Sequence, residues 1–199
     1  MRYGEITFAA LALTLTLGLG GCAEYMNHHG HPGGGHMVKV DEAIAVIVPT
    51  TGSAVSGKIH FVSVPGGVHV VGEVRGLVPN SEHGFHIHEF GDVSSADGKS
   101  AGGHYNPEGH PHADVRVQPH HAGDLGNLKA DGAGVGKVDL VVKGISIAGH
   151  MNPIIGRGVV VHAKPDDLKT QPTGDAGGRI GVGVIGVAKS GIAATLPAK

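Results

Sequence analysis

The sequence predicts an all-β fold, an antiparallel Greek-key β-barrel or sandwich of about eight strands with two long functional loops. Short runs rich in valine and isoleucine alternate with turn signals along most of the chain. Glycine accounts for 36 of the 199 residues and aromatic residues for only 4%, and helix-forming residues do not dominate. The length allows a single domain with a small appendage. The formal net charge of −2 gives no signal for a nucleic-acid partner.

Residues 1–21 are predicted to be a signal peptide rather than part of the fold. Arg2 gives a weakly basic start, and the apolar run Phe8–Leu19 is too short to span a membrane. Small residues directly before Cys22 resemble the bacterial lipobox, which implies cleavage before Cys22 and attachment of lipid to its thiol. An ordinary signal peptide with an incidental cysteine is the alternative, but the position of this single cysteine favours the lipoprotein. We therefore expect an exported, membrane-anchored protein that faces the periplasm or the outer cell surface.

Residues 22–37 are predicted to be a flexible tether between the lipidated cysteine and the domain. Glycine, proline and polar residues dominate this stretch and cannot bury enough surface to offset the entropy of ordering. Its four histidines are His28, His29, His31 and His36. Two interpretations stay open for them, loose binding of copper or zinc and a solvated spacer.

From residue 38 onward, strand-like runs recur at short intervals and predict a domain over residues 38–190, followed by a disordered tail over residues 191–199. Turn signals such as Thr51-Gly52 separate the early runs, as expected for hairpins. The predicted strands are Val38–Val48, Val55–Val64, Val68–Leu77, Gly84–Phe90, Gly126–Ala130, Gly134–Val142, Gly158–Ala163 and Val182–Ala188. Two stretches without apolar periodicity interrupt them, from Gly91 to about Gly123 and from Lys164 to Gly178. Loops of this length are usually functional or disordered.

His86 and His88 occupy alternate positions of the fourth predicted strand, with Ile87 between them. Alternate side chains of an extended strand share a face, so both imidazoles can reach one metal ion. Taken alone, such a pair is more often a metal-free surface feature. The chain, however, has sixteen histidines, which cluster in the first long loop and recur at the end of the seventh strand. Imidazole nitrogens suit copper and zinc, and the addition of one carboxylate suits zinc in particular.

Five motifs carry a family resemblance. GFHIHEFGD, SAGGHYNP, HAGDLGN, GRGVVVHAKPDDL, and GDAGGR followed by GVIGVA occur in that order along the chain. Their order and spacing resemble the copper/zinc superoxide dismutase family over nearly all of residues 38–189. The resemblance implies the family's eight-stranded Greek-key β-barrel, copper and zinc as cofactors, and superoxide as substrate.

The resemblance also assigns roles to residues. It implies copper ligands His86, His88, His104 and His162, and zinc ligands His104, His112, His121 and Asp124, with His104 bridging the two metals. Asp166 matches a carboxylate that accepts hydrogen bonds from one copper and one zinc histidine. Arg179 matches the arginine that attracts the substrate, with Lys164 and Lys169 as candidate helpers. His83 matches a position that supports the site, whereas His110 and His120 lie beside ligand positions and are expected to be bystanders.

The implied mechanism has two steps. One superoxide reduces Cu(II) and leaves as dioxygen, while His104 is released from copper and takes a proton. A second superoxide reoxidises Cu(I) and leaves as hydrogen peroxide, with the proton of His104 and another from solvent. The alternative is a non-catalytic copper- and zinc-binding lipoprotein. The presence of all four copper positions together with Arg179 favours the enzyme.

The sequence departs from the family at a disulfide. Family members usually fasten the first metal loop to the last strand with one, but here the corresponding positions fall near Gly98 and at Val182, and neither is cysteine. We therefore expect this loop to depend on bound zinc and on packing. Dimerisation is common in the family, so a homodimer is a candidate assembly whose interface the sequence does not identify.

Overall fold

A computed structural model describes residues 39–189 and residue 191. Its strands are β1 (Glu42–Pro49), β2 (Ser56–Val64), β3 (Gly67–Arg75), β4 (Glu82–His88), β5 (Asp124–Lys129), β6 (Gly136–Val142), β7 (Gly158–His162) and β8 (Arg179–Val187), with one short 3-10 turn at Lys99–Ala101. The predicted signal peptide, Cys22 and the histidine-containing tether lie outside the described residues, as does the tail from residue 192. Within the described part, no helix is long and apolar enough to cross a membrane.

The eight strands form one antiparallel sheet in the order β5-β4-β7-β8-β1-β2-β3-β6. Consecutive hairpins connect β1, β2 and β3, after which β3 pairs with β6 and β4 pairs with β5 and β7. A bridge between Ala130 and Gly136 brings the two ends of the sheet together, so the barrel is nearly closed. The predicted eight-stranded Greek-key β-barrel is therefore confirmed.

The core follows from alternation along the strands. In β1, Ala43, Ala45 and Ile47 are at most 1% exposed, whereas Val46 and Val48, at alternate positions, face outward. Phe61 of β2 and Phe85 of β4 fill the same interior. Because the side-chain period of a strand is two, this alternation fixes which face of each strand points inward.

Strand β8 begins earlier than predicted, at Arg179 rather than Val182. The glycines before Val182 suggest a loop, but Gly181 pairs with both Pro49 of β1 and Val161 of β7. A Cβ atom at position 181 would lie 2.8 Å from Cγ2 of Ile47, so the glycine allows close packing inside the barrel. Strand β1, which pairs with β8, begins at Glu42, later than the predicted residue 38.

Three long connections leave the barrel. The first loop, residues 89–123, joins β4 to β5, and the second loop, residues 163–178, joins β7 to β8. Both correspond to predicted loops. A third connection, residues 143–157, joins β6 to β7 and contains a bridge between Ser146 and Pro153. The first two loops extend from neighbouring strands, which places their side chains over the same part of the barrel.

Candidate metal centre

Strand β4 presents two imidazoles beneath the loops. His86 and His88 are 0% and 1% exposed, and they pair with Val160 and Gly158 of β7. His162 ends β7 and is also buried, so β4 and β7 together place three imidazoles side by side. The sheet thus supplies most of one ligand group from rigid elements, which fixes its geometry better than loops would.

The first cluster, the four-histidine group, consists of His86, His88, His104 and His162. Each offers a ring nitrogen, and these nitrogens lie within 4.8 Å of one another. Nε2 of His88 is 3.3 Å from Nε2 of His162. Buried atoms Nδ1 of His86 and Nε2 of His104 have no hydrogen-bond partner in the described structure. Because buried polar atoms are normally paired, these two nitrogens fit a group that accepts their lone pairs, as a metal ion does.

The second cluster, the histidine–aspartate group, consists of His104, His112, His121 and Asp124, all buried and again within 4.8 Å. Oδ1 of Asp124 is 3.0 Å from Nδ1 of His104, 2.9 Å from Nδ1 of His112 and 3.5 Å from Nδ1 of His121. Three imidazoles and one carboxylate form a closed donor set of the kind that zinc prefers. Asp124 begins β5, and the three histidines come from the first loop.

His104 is the single residue that belongs to both groups. Its Nδ1 faces Asp124, while its Nε2 is the unpartnered atom in the four-histidine group. The ring also lies 4.0 Å from the ring of His86, centroid to centroid. The two nitrogens of one imidazole therefore point into two different donor sets.

Asp166 of the second loop joins the two groups from behind. Its Oδ2 is 2.7 Å from Nε2 of His86, and its Oδ1 is 2.9 Å from Nε2 of His112. The main chain of Asp166 is held by Asn127, whose side chain donates to the Asp166 carbonyl at 2.9 Å and accepts from its N–H at 2.7 Å. Contacts of this kind set the tautomer and the orientation of metal-binding imidazoles.

The sequence interpretation missed two supporting amides. Besides Asn127, the Gln171 side chain accepts from the His112 N–H at 2.8 Å and donates to the His112 carbonyl at 2.7 Å. Asn127 ends the HAGDLGN motif, so its position beside Asp124 was a usable signal. Gln171 stands in the second loop with no motif to mark it, and its contact depends on how the two loops meet.

Burial and the carboxylates of Asp124 and Asp166 determine the protonation of the buried histidines. Burial lowers the pKa of His104 to about 4 and that of His162 to about 3, and it also lowers the pKa of His86 and His88. Burial acts in the same direction on His112, but hydrogen bonds to Asp124 and Asp166 outweigh it and raise the pKa of His112 to about 9. The four-histidine group is therefore neutral near pH 7 and has free lone pairs for a metal.

A cavity of about 780 Å³ opens over the four-histidine group. It is lined by Thr50, Thr51, His88, Ala96, Asp97, Lys99, His162, Thr173, Gly177, Gly178 and Arg179. Nη1 of Arg179 donates to the carbonyl of Gly98 at 2.5 Å, and Nη2 donates to the carbonyl of Gly102. The guanidinium is thus fixed beside the histidines by the first loop. Lys99 lines this cavity and pairs with Asp97 at 2.9 Å, whereas Lys164 and Lys169 are not among its lining residues.

The remaining histidines near the site have other contacts. Nδ1 of His110 is 3.2 Å from the carbonyl of His120, and Nδ1 of His120 is 2.6 Å from the carbonyl of His121. Neither belongs to the metal-type groups found among the described residues. His83 lies between the carbonyl of His162 at 2.8 Å and the hydroxyl of Ser81 at 2.7 Å, a contact that supports the end of β7.

The two positions that correspond to the family disulfide are neighbours here. A Cβ atom built at Gly98 would lie 2.8 Å from Cγ1 of Val182. Gly98 has a φ of 73°, which favours glycine. Ala101, Val160 and Val182 form a small buried cluster next to it. Packing and the hydrogen bonds of Arg179 thus hold the first loop against β8 where a disulfide is absent.

Comparisons with known proteins identify the family and relatives of this chain. Residues 55–185 match the sequence model of the family described as copper/zinc superoxide dismutase (SODC). The chain is 38% identical over 160 residues to the extracellular superoxide dismutase [Cu-Zn] of Brugia pahangi, covering 76% of this chain and 78% of that protein. It is 43% identical over 143 residues to superoxide dismutase [Cu-Zn] 3 of Arabidopsis thaliana, covering 68% and 85%. The crystal structure of the clock protein EA4 superposes with a TM-score of 0.68 and 42% identity, over 75% of this chain and 97% of that one.

Proposed function

This chain belongs to the copper/zinc superoxide dismutase family, an enzyme family that uses copper and zinc, and from that premise we propose its reaction and its site. Two superoxide anions and two protons are converted to dioxygen and hydrogen peroxide at the four-histidine group. The observation that carries this proposal is the position of four buried imidazoles, two with unpartnered nitrogens, beside an arginine that lines a cavity with His88 and His162.

The two groups of residues are proposed to bind two different metals. His86, His88, His104 and His162 would hold copper, and His104, His112, His121 and Asp124 would hold zinc. Copper supplies the reversible one-electron chemistry that superoxide requires, whereas zinc is redox-inert and holds residues in place. The lowered pKa values of the four buried histidines keep their lone pairs available near neutral pH.

His104 has a second task, which is to carry a proton. Its Nδ1 is directed at Asp124, so the ring keeps its orientation while Nε2 changes protonation. Nε2 lies in the four-histidine group next to His88 and His162, which line the cavity. A proton held at Nε2 is therefore close to the two imidazoles that line the cavity, where the reduced substrate would take it, and a second proton comes from solvent.

Arg179 binds and attracts the anionic substrate. Its guanidinium lines the cavity with His88 and His162, and its hydrogen bonds to two loop carbonyls keep it in place. A fixed positive charge in a cleft raises the local concentration and the association rate of a small anion. Asp166 does not face the substrate. It orients His86 and His112, so that both donor sets stay aligned.

The bridging role of His104 can be tested with spectroscopy. Cu(II) placed in both sites would be joined by one imidazole ring, and the two unpaired electrons would couple. We expect the electron paramagnetic resonance signals of the isolated ions to be replaced by that of a coupled pair. Two independent Cu(II) signals at full occupancy of both sites would contradict the bridge.

The enzyme and the non-catalytic binding protein are separated by one comparison. The full chain is loaded with copper and zinc, its metal content is measured, and superoxide decay is followed on the same sample. Catalysed decay in proportion to bound copper is expected of the enzyme. A fully copper-loaded protein without catalysed decay would support the metal-binding lipoprotein instead.

We also propose that the protein is exported and anchored by lipid at Cys22. The support is the apolar run Phe8–Leu19 followed by small residues directly before the only cysteine. A relative that shares 38% identity is described as extracellular. Cys22→Ser should move the protein from the membrane fraction to the soluble exported fraction. Membrane association that persists in Cys22→Ser would refute the lipid anchor.

A homodimer through the outer face of β1 and β8 is proposed as the assembly. Val46, Val48 and Val184 are 51%, 44% and 38% exposed there, and Phe90 is 55% exposed. A Cβ atom at Gly91, next to Phe90, would lie 2.9 Å from Cγ1 of Val184, so the main chain beside Phe90 passes close to Val184. Val184→Glu should lower the molecular mass measured by light scattering to that of the monomer. The matched control is Val141→Glu, on the exposed face of β6, which should leave the mass unchanged; a monomeric wild type would end this proposal.

A further inference from the structure

The turn between β1 and β2 contacts the strand that carries Arg179. Pairing of β1 with β8 ends at Pro49 and Gly181, but Thr50 extends the contact by two more hydrogen bonds. Its N–H donates to the carbonyl of Ile180 at 3.3 Å, and its hydroxyl donates to the carbonyl of Arg179 at 2.7 Å. Thr50 is only 8% exposed, so this hydroxyl bond is largely protected from water.

The same turn also contacts the first loop. The N–H of Thr51 donates to the carbonyl of Ala96 at 2.8 Å. A Cβ atom at Gly98 would lie 3.3 Å from Cγ2 of Thr50, which places the threonine methyl group against this glycine. Because the Arg179 guanidinium donates to the carbonyl of Gly98, Thr50 touches both the main chain of Arg179 and the loop that holds its side chain.

The main chain that leads to Arg179 needs such a partner. Gly177 and Gly178 precede it, and Gly177 has a φ of 76°. Glycines leave the backbone many alternative conformations, so the second loop alone does not fix the start of β8. The pairing of β7 with β8 is also irregular at this point, since its register shifts between Val161 and His162. The hydroxyl of Thr50 donates a hydrogen bond to the Arg179 carbonyl at the point where the pairing of β7 with β8 is irregular.

We infer that Thr50 is a positioning residue for Arg179, which it holds through the Arg179 carbonyl and through Gly98. With Thr51 it also forms one wall of the cavity in which the anion binds. The expected effect on the reaction rests on the proposed function. The effect on the affinity of the cavity for a small monovalent anion can be measured separately. The contacts of Thr50 and Thr51 thereby help to hold the first loop against β8, as a disulfide between the two would do.

Azide serves as the probe, because it is a small monovalent anion whose binding to the copper-loaded protein is followed by optical absorption. The full chain is loaded with copper and zinc, and Thr50→Val, which removes the hydroxyl, is compared with Thr50→Ser, which keeps it. We expect Thr50→Val to weaken azide binding about three- to tenfold and to lower kcat/KM for superoxide by a similar factor. Thr50→Ser should stay within about twofold of the wild type.

A matched control lies in the same turn. The hydroxyl of Ser53 accepts a hydrogen bond from the N–H of Val55 at 3.1 Å, and no contact links it to Arg179 among the bonds described. Ser53→Ala should therefore leave azide affinity unchanged. In an Arg179→Ala background, Thr50→Val should weaken azide binding no further, because the two residues act on the same anion contact.

The outcomes are distinct. A wild type that binds copper but does not dismute superoxide, while Thr50→Val still weakens azide binding, would end the proposed function and support the positioning role. Azide affinity in Thr50→Val equal to that of the wild type would overturn the inference, as would an undiminished effect of this change in the Arg179→Ala background. Thr50→Ala is a second hydroxyl-free variant. Failure of both hydroxyl-free variants to load copper, with normal loading of Thr50→Ser, would assign Thr50 to folding and also overturn the inference.

Discussion

Asp166 and His86 stand 80 residues apart in the chain, yet Oδ2 of Asp166 lies 2.7 Å from Nε2 of His86. Both side chains are 0% exposed. The other carboxylate oxygen is 2.9 Å from Nε2 of His112, so one second-loop residue orients an imidazole from a barrel strand and another from the first loop. Asp166 therefore links the two donor sets through hydrogen bonds, in addition to the link that the shared ring of His104 provides.

Replacement of this carboxylate should weaken metal binding. Asp166→Asn keeps the size of the side chain but leaves only one acceptor for two imidazoles. We expect zinc affinity to fall by about ten- to a hundredfold, because contacts that orient ligands usually contribute that much. Competition with a chromophoric chelator measures it. Asp167→Asn is the control, since the Asp167 side chain is exposed and accepts its described hydrogen bonds from Lys169 and Thr170; equal losses in the two variants would contradict the role of Asp166.

Zinc removal should cause a large loss of stability. The first loop supplies three of the four residues of the histidine–aspartate group, and no cysteine fastens it to β8. We expect the copper-free, zinc-free protein to melt more than about 10 °C below the zinc-loaded form, because the binding free energy of a structural metal adds to folding. Differential scanning calorimetry measures this difference, and a reductant should not change it. An apo form that melts within a few degrees of the loaded form would show that packing alone holds the loop.

The metal-free protein should lose stability in mild acid. Burial lowers the pKa of His104 to about 4 and of His162 to about 3, whereas the unfolded chain titrates near 6.5. The unfolded state therefore binds more protons below pH 6.5, and the free energy of unfolding falls by up to about 1.4 kcal/mol for each histidine with every unit by which the pH is lowered.

His112 acts over a different pH range. Its raised pKa stabilises the fold fully below pH 6.5, and this contribution is lost as the pH rises through about 9.

Urea unfolding of the metal-free protein at pH 7, 6 and 5 measures the acid effect. His162→Asn should make the decline shallower by the share of one histidine, whereas His150→Asn, at an exposed position, should leave it unchanged. A free energy of unfolding that stays constant over this range would contradict the buried, neutral state of these imidazoles.

Loss of Arg179 should slow the reaction without loss of copper. Arg179→Ala removes the fixed positive charge beside His88 and His162, and we expect the rate at low ionic strength to fall about tenfold or more. The dependence on salt should flatten, because screening then has less attraction to remove. Arg75→Ala is the control, since Arg75 is an exposed arginine at the end of β3 that pairs with Glu73. Unchanged kinetics of Arg179→Ala at low salt would refute the role in attraction.

Much of the fold could be predicted from local pattern. The alternation in β1 and the turn residues between β1, β2 and β3 are local features, and so is the spacing that puts His86 and His88 on one face of β4. The start of β8 was misplaced because Gly181 looks like a loop residue. Its requirement for glycine arises from Ile47 and Val55, whose side chains lie far away in the chain and leave no space for a Cβ atom.

The candidate site could be predicted only where a motif marks it. All but one of the ligand-type residues stand in motifs, and His112 stands at family spacing from His104; the structure brings all of them into two compact groups. Gln171 and Thr50 carry no such mark. Their hydrogen bonds to His112 and Arg179 exist because separate loops meet over the barrel, and single-sequence patterns contain no information about that meeting.

The most direct measurement compares His162→Ala with His110→Ala in the full chain loaded with copper and zinc. Copper content and catalysed superoxide decay are recorded on the same samples. If the four-histidine group is the copper site, His162→Ala should lose most of its copper affinity and its catalysed decay, whereas His110→Ala should keep both. Catalysed decay that survives in His162→Ala, or an equal loss in His110→Ala, would contradict that assignment.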